Sequence, residues 1–428
     1  TIEDQSAWAR YKKVYELTGA RENLGELEGI GPYPGAGETN QISVYLRQRV
    51  DEVLHRIIQF PLARTEYHNM RPEKELICLT PEIAREYKPQ TVVSLLKNMA
   101  VERLEASRSE RKALDPAQRK TALRTSLKQK LGDIDPIRAW AARKLWDKQY
   151  ADFTLEASTL TTEPGITLPV FLLKAKTGSK QRPVVIAVAE GGKEKFLSLR
   201  SNEISTLLKN GITVCLPDLR GNGELNDKTT RGPEVMNRPA SELMLGSSLT
   251  GLRLKDTRTI MRWLSKRPDI DSKKIALWGD SFSDPNAPDF QFDQSPGQRP
   301  GPVPQRQAEP LGAFLAMLTA FYEDGVAAVA GRGGLVSFMS ALDDRFCHIP
   351  QDVIVPGILE TTDLGEIAAF IAPQPLLLEN MVDGLNKKIS QRAMEQEYGK
   401  SGVNLLVREA SEESLSITDW LSNRLLAK

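Results

Sequence analysis

From about Phe153 onward, short apolar runs alternate with amphipathic segments along the chain. The later runs are apolar at consecutive positions, as in PVVIAVAEGG, ITVCLPDLRGNGE, KIALWGDS, VAAVAGRGG and PLLLENMVDG. Such runs are typical of strands that are buried on both faces, and helical segments such as SNEISTLLKNG separate them. The pattern predicts an α/β domain over residues 151–428. We expect a doubly wound, mostly parallel sheet with functional loops at the carboxyl ends of its strands.

The chain before this domain has a different pattern. Residues 71–150 are rich in charge and mostly helical in period, and this is typical of a solvated helical connector that packs on a neighbouring core. Residues 1–70 repeat the order helix, glycine, short strand, loop and helix that closes the chain. We therefore interpret them as the C-terminal remnant of a preceding module of the same kind, although helix–strand–helix units are common.

Composition narrows the classes of partner. The 428 residues contain 57 Lys and Arg against 56 Asp and Glu, so no net field attracts nucleic acid or an anionic membrane. The three cysteines lie far apart, and no metal or nucleotide motif occurs, so we expect neither a metal nor a cofactor. The N-terminus carries no signal-peptide core. A small-molecule or polymeric substrate is the expected partner.

One stretch points to chemistry: KKIALWGDSFSDPN, in which an apolar strand runs directly into Gly279-Asp280-Ser281-Phe282-Ser283. A strand followed by a tight turn with a serine is the nucleophile elbow, which lifts the hydroxyl above the edge of a sheet. The usual pattern is G-x-S-x-G, and here Ser283 replaces the last glycine. Because a five-residue motif is weak by itself, its position among the other strands carries the interpretation.

Two further segments strengthen the interpretation of Ser281 as a nucleophile. Glu190, Gly191 and Gly192 follow an earlier strand, and LPDLRGNGEL follows the next one. Together with the elbow, these residues resemble the α/β-hydrolase superfamily, in particular its acetyl-xylan-esterase-like and prolyl-oligopeptidase-like branch, over roughly residues 153–428. The resemblance implies that the N–H of Phe282 and the loop at Glu190 and Gly191 form an oxyanion hole.

The resemblance also implies a catalytic acid after a late strand. The segment PQPLLLENMVDGLN assigns that role to Asp383, which an ordinary turn aspartate before Gly384 would also explain. Asp352 is a weaker alternative for the acid.

The sequence departs from the family at the base. The family has a histidine after the last strand, but residues 409–416 contain none. Of the three histidines, His55 and His68 lie outside the matched region, whereas His348 follows a strand by one loop and starts from the same edge as Ser281. A serine needs a neighbouring base, and a neutral imidazole suits that role. We therefore predict His348 as the base, although a packed histidine is the plainer interpretation.

An insertion rich in Pro and Gln occupies residues 284–309, where the resemblance predicts a helix directly after the serine. It is interpreted as a lid or a substrate wall, with a plain surface loop as the alternative. Arg220, in the LPDLRGNGEL turn, and Arg332, at the end of VAAVAGR, are predicted to contact substrate. Arg332 could equally pair with an acid.

The resemblance implies a serine esterase that removes acyl groups, acetyl above all, from esterified carbohydrate. The missing histidine favours an alternative, a catalytically degenerate binding or scaffold protein. A peptidase of the prolyl-oligopeptidase type is a further alternative, but it requires a gating domain that the first 150 residues are too helical to form. A polysaccharide substrate would imply a secreted or periplasmic protein, and assembly as a homo-oligomer stays open.

Overall fold

The computed structural model describes residues 6–25, 44–62, 65, 71–138, 140–226, 234–290, 306–399, 404–410 and 415–427. The chain divides into two compact units, Thr1–Pro89 and Gln90–Lys428. Within the described ranges, no helix combines the length and the apolar character that crossing a bilayer requires.

The first unit is helical in its described part. Its helices are α1 (Ser6–Leu17), α2 (Val44–Ile58), α3 (Glu73–Leu76) and α4 (Pro81–Tyr87). The two helices expected for residues 1–70 are present as α1 and α2. The strand expected between them would fall on a short 3₁₀ turn at Arg21–Asn23 and on residues 26–43, which lie outside the described residues. The proposed duplication therefore stays a prediction.

The second unit is built on one sheet of nine strands. The strands are β1 (Ala141–Gln149), β2 (Phe153–Glu163), β3 (Ile166–Ala175), β4 (Arg182–Val188), β5 (Thr213–Pro217), β6 (Ile270–Gly279), β7 (Val326–Arg332), β8 (Leu376–Glu379) and β9 (Leu405–Arg408). Their order is β1-β2-β3-β5-β4-β6-β7-β8-β9. The pairs from β1 to β5 along this order are antiparallel, and those from β5 to β9 are parallel. The predicted α/β class is confirmed.

Helices pack on both faces of this sheet. The helices of the second unit are α5 (Val92–Lys112), α6 (Pro116–Leu131), α7 (Gly192–Leu199), α8 (Ser201–Lys209), α9 (Glu234–Met244), α10 (Leu249–Ser265), α11 (Leu311–Tyr322), α12 (Leu364–Ala369), α13 (Gln391–Tyr398) and α14 (Ile417–Leu426). Alternate residues of β4 show why its sequence is continuously apolar. Val184 and Ile186 pack in the core under α10 and α11, whereas Val185 and Ala187 pack in the core under α8 and α14.

The predicted connector over residues 71–150 is partly different in the structure. Helix α6 begins with a capping box between Asp115 and Gln118 and presents Leu123, Leu127 and Leu131, four residues apart, to the main core. The end of the range is not helical, because residues 141–149 form the edge strand β1. All of its residues are exposed, and it is ordered by antiparallel pairing with β2.

Candidate functional site

Ser281 lies directly beyond the end of β6, at the carboxyl edge of the parallel strands. The start of α11 fits against this strand end through two glycines. A Cβ at Gly279 would lie 2.1 Å from the carbonyl oxygen of Gly312, so neither strand nor helix could approach as closely with a side chain there. Helix α11 begins only at Leu311, and the residues from Phe282 to Pro310 are inserted between the serine and the helix.

The side chain of Ser281 is tightly enclosed. The residue is 9 % exposed, and its Oγ accepts a 3.4 Å hydrogen bond from the N–H of Ser283. The backbone of Gly333, just after β7, lies against it, since a Cβ at Gly333 would be 2.6 Å from the Cβ of Ser281. Ser281 does not share the positive φ of the strained elbow turn; the described non-glycine residues with positive φ lie elsewhere.

Asp280 anchors this turn. Its fully buried carboxylate accepts hydrogen bonds from Arg200 Nε at 2.7 Å, from Arg332 Nη1 at 3.4 Å and from the backbone N–H of Ser281 at 2.8 Å. Arg332 also donates to Glu379 Oε1 at 2.8 Å. The structure therefore places Arg332, which we predicted to contact substrate, in an ion-pair network that holds the ends of β6, β7 and β8 together.

Arg220, the other predicted substrate contact, is similarly engaged. Its guanidinium pairs with Asp256 at 2.6 Å and with Glu163 at 2.6 Å. These carboxylates raise the pKa of Arg220 above its ordinary value, although burial opposes the shift most strongly. The residue links the loop after β5 to α10 and β2.

The predicted oxyanion donor also has a partner. The backbone N–H of Phe282 donates to Glu309 Oε2 at 2.9 Å, and Glu309 Oε1 pairs with Lys195 at 3.1 Å. Glu190 and Gly191, the other predicted oxyanion residues, lie beside Glu309 at the start of α7. The three predicted oxyanion-hole residues thus lie in one neighbourhood, with a carboxylate between them.

The loops of the predicted base and acid are in contact. The N–H of His348 donates to the carbonyl oxygen of Gly384 at 2.7 Å. Asp383 Oδ1 accepts the backbone N–H groups of Leu385 at 2.9 Å and Lys387 at 2.8 Å, as an aspartate does when it closes its own turn. Partial burial lowers the pKa of His348, so its imidazole is neutral at pH 7.

The triad itself is not assembled through hydrogen bonds. Between described residues, no hydrogen bond joins the ring of His348 to Ser281 Oγ or to the carboxylate of Asp383. His55 is used elsewhere, because its Nδ1 lies 2.7 Å from the carbonyl oxygen of Phe60 at the end of α2. His68 lies outside the described residues.

A cavity of about 500 Å³ opens at the carboxyl ends of β4 and β5. Ser281, His348 and Asp383 are not among its lining residues. Its polar lining includes Glu190, Asn222, Arg253, Glu309 and Asp352. In the described part of the chain, no three His, Cys, Asp or Glu residues are arranged to hold a metal ion.

Burial is the main cause that raises the pKa of Glu190 to about 8, and the negative charges of Asp352 and Glu309 add to it. Reasoning from the sequence selected Glu190 only for its backbone, and it missed Glu309 and Arg253 entirely. Glu190, Arg253, Glu309 and Asp352 lie on separate segments of the chain. No local signal marks them as neighbours.

No protein-family model and no curated protein sequence matches this chain. Solved structures do. A protein assigned as an acetyl xylan esterase from Bacteroides fragilis superposes with a TM-score of 0.52 at 14 % identity, covering 69 % of this chain and 75 % of that one. A glucuronoyl esterase from Solibacter usitatus gives a TM-score of 0.47 at 12 % identity, over 72 % of this chain and 92 % of its own.

An acetyl xylan esterase from a Thermoanaerobacterium species gives a TM-score of 0.41 at 13 % identity, over 72 % of this chain and 94 % of its own. At sequence identities this low, a superposition shows a shared fold and not a shared activity. Of these three superpositions, only the first exceeds a TM-score of 0.5. That superposition supports the α/β fold described above. The chain has the fold of the α/β-hydrolase superfamily.

Proposed function

We propose that this protein is a carboxylic ester hydrolase that removes acyl groups, acetyl above all, from esterified carbohydrate, with Ser281 as the nucleophile. One observation carries the proposal. Ser281 follows the β6 strand end, and the loops of His348 and Asp383 meet at the same edge through the 2.7 Å hydrogen bond from His348 N–H to Gly384. The fold shared with the Bacteroides protein supports it.

In this mechanism, Ser281 Oγ attacks the ester carbonyl carbon while its proton passes to the neutral imidazole of His348. The carbonyl oxygen becomes an oxyanion that backbone N–H groups stabilise. Collapse of the intermediate expels the sugar hydroxyl, which takes the proton from His348. Water then attacks the acyl-enzyme and releases the carboxylic acid, and Asp383 orients the imidazole throughout.

Glu309 has a specific place in this scheme. Its carboxylate accepts the Phe282 N–H that the oxyanion requires, and a carboxylate there would repel the developing charge. Turnover therefore requires Glu309 to move away, which breaks its hydrogen bond to Phe282 and leaves its pair with Lys195 to readjust. In this structure Glu309 blocks the Phe282 N–H, and we call this arrangement the closed donor.

A second function is favoured by the same contact. Glu309 on the Phe282 N–H, together with the lack of a hydrogen bond from a described imidazole to Ser281 Oγ, fits a protein that binds carbohydrate without cleaving it. A nucleophile that has lost its base would keep the fold because packing does not depend on the reaction.

Hydrolysis of p-nitrophenyl acetate and release of acetate from acetylated xylan separate the two functions. We expect Ser281→Ala to lower kcat/KM at least about 1,000-fold, because the reaction cannot begin without the nucleophile. His348→Ala should lower it comparably, whereas the matched control His55→Ala should leave it unchanged. A wild-type rate equal to that of Ser281→Ala would overturn the hydrolase, and retained binding of acetylated xylan would then support the binding function.

A further inference from the structure

The cavity at the ends of β4 and β5 has the properties of a ligand site in its own right. Its volume of about 500 Å³ is in the range of pockets for small organic molecules and far exceeds the space that a bare ion occupies. Ser281, His348 and Asp383 do not line it, but Glu190 and Gly191, predicted for the oxyanion hole, and Glu309 do, so the cavity adjoins the proposed ester-hydrolysis site.

Two buried carboxyl oxygens of the cavity's lining residues have no hydrogen-bond partner in the described part of the chain. Asp352 is 7 % exposed; its Oδ2 accepts from Arg253 Nη1 at 2.5 Å, but its Oδ1 is buried and has no hydrogen-bond partner. Glu190 Oε2 is also shielded from solvent and unpartnered. An unpaired buried carboxyl oxygen is costly, and no described residue supplies a partner for either one.

The cationic side chains of the lining are already committed. Lys195 pairs with Glu309 at 3.1 Å, and Arg253 donates to Asp352, to Asn222 Oδ1 at 2.7 Å and to the carbonyl oxygen of Arg220 at 3.1 Å. The lining therefore leaves no uncommitted cation for the two unpartnered carboxyl oxygens. With Glu194 at the rim, the lining has four carboxyl groups against two cations.

We propose that this cavity binds a small organic molecule through a protonated primary amine that donates hydrogen bonds to Glu190 and Asp352. An ammonium group has three donors and no acceptor, so it can satisfy both unpartnered oxygens at once. It also neutralises the excess of acidic groups, which a neutral hydroxyl does not. A hydrogen bond between charged groups is roughly twice as strong as one between neutral groups.

The protonation of Glu190 gives the proposal a distinctive signature. In the empty cavity, burial and the charges of Asp352 and Glu309 raise its pKa to about 8 against the opposing effects of Arg253 and Lys195, so at pH 7 about nine-tenths of the molecules hold the proton. A cation beside the carboxylate lowers this pKa. Binding at pH 7 should therefore release close to one proton for each ligand.

The test is isothermal titration of the full chain with D-glucamine and with D-sorbitol, which differ only by an amine in place of one hydroxyl. Titrations at pH 7 in two buffers of different ionisation enthalpy count the released protons. We expect glucamine to bind at least about tenfold more tightly than sorbitol. The release should approach one proton.

Variants assign the effect to residues. Glu190→Gln should weaken glucamine binding about tenfold or more and abolish the proton release, and it removes no hydrogen bond from Oε2, which has no partner among the described residues. Asp352→Asn should weaken binding to a similar degree. Glu105→Gln, on the exposed surface of α5, makes the same substitution outside the cavity and should change nothing.

The proposal is overturned if sorbitol binds as tightly as glucamine, if neither binds at millimolar concentration, or if Glu190→Gln binds glucamine as the wild type does. Ser281→Ala should bind glucamine normally. The ammonium site and the esterase can therefore fail independently.

Discussion

Replacing Gly333 with alanine tests the enclosure of the proposed nucleophile. Gly333 has a φ of +65°, and its added Cβ would lie 2.6 Å from the Cβ of Ser281, 3.2 Å from its Oγ and 3.8 Å from its Cα. Contacts below 3.0 Å force a displacement, whereas 3.8 Å is an ordinary van der Waals distance. The clash is therefore made entirely by the serine side chain.

Two contributions lower the free energy of unfolding of Gly333→Ala. A left-handed backbone at a residue other than glycine costs about 1–2 kcal/mol, and overpacking a filled site costs about 1–3 kcal/mol more. Gly333→Ala should thus destabilise the protein by about 2–5 kcal/mol. In a Ser281→Gly background only the backbone cost of about 1–2 kcal/mol should remain, because the atoms that clash are gone.

Urea unfolding followed by tryptophan fluorescence measures this double-mutant cycle, since Trp278 in β6 is fully buried. Gly165→Ala is the matched control. Gly165 has a φ of +82° in the turn between β2 and β3, and nothing lies within 4 Å of its added Cβ, so it should lose only the backbone contribution. If the two substitutions at Gly333 and Ser281 are additive within about 0.5 kcal/mol, the serine is not enclosed as described.

Three further predictions concern the surroundings. Glu309→Ala frees the Phe282 N–H. Because one oxyanion donor contributes about 100-fold or more to the rate in other enzymes, p-nitrophenyl acetate hydrolysis should rise about tenfold. A rate below that of the wild type would contradict the proposal that Glu309 blocks this donor. Glu190 keeps its proton to a pKa of about 8 when folded but loses it near the ordinary value of 4.5 when unfolded. Wild-type stability should therefore fall by about 1.4 kcal/mol per pH unit between about pH 5 and 8 and then level off, and denaturation of Glu190→Gln across this range should lack that slope. Asp218→Asn removes the buried partner of Lys193 and leaves only the exposed Glu224, so it should lower the free energy of unfolding by about 3 kcal/mol, whereas an unchanged urea midpoint would show that the buried pair is dispensable.

The sequence was sufficient for the parallel strands of the second unit and the helices between them. Runs such as PVVIAVAEGG determine strands buried on both faces, and the interleaved amphipathic segments determine the covering helices, because periodicity is a local property of the chain. Ser281 could be placed at a strand end for the same reason. Strand β1 could not be predicted, because its charged residues form a strand only through pairing with β2.

The site depends on distant parts of the chain. Glu309 reaches Phe282 across the insertion, Arg332 pairs with Asp280, and Asp352 meets Arg253 from a separate segment. Such contacts follow from how strand ends and loops pack in three dimensions, and side-chain identity alone offers several partners for each charge. The sequence by itself determined the sheet and the position of the serine. Only the tertiary structure decided which charged groups surround it, because electrostatic pairing depends on distances that local patterns do not encode.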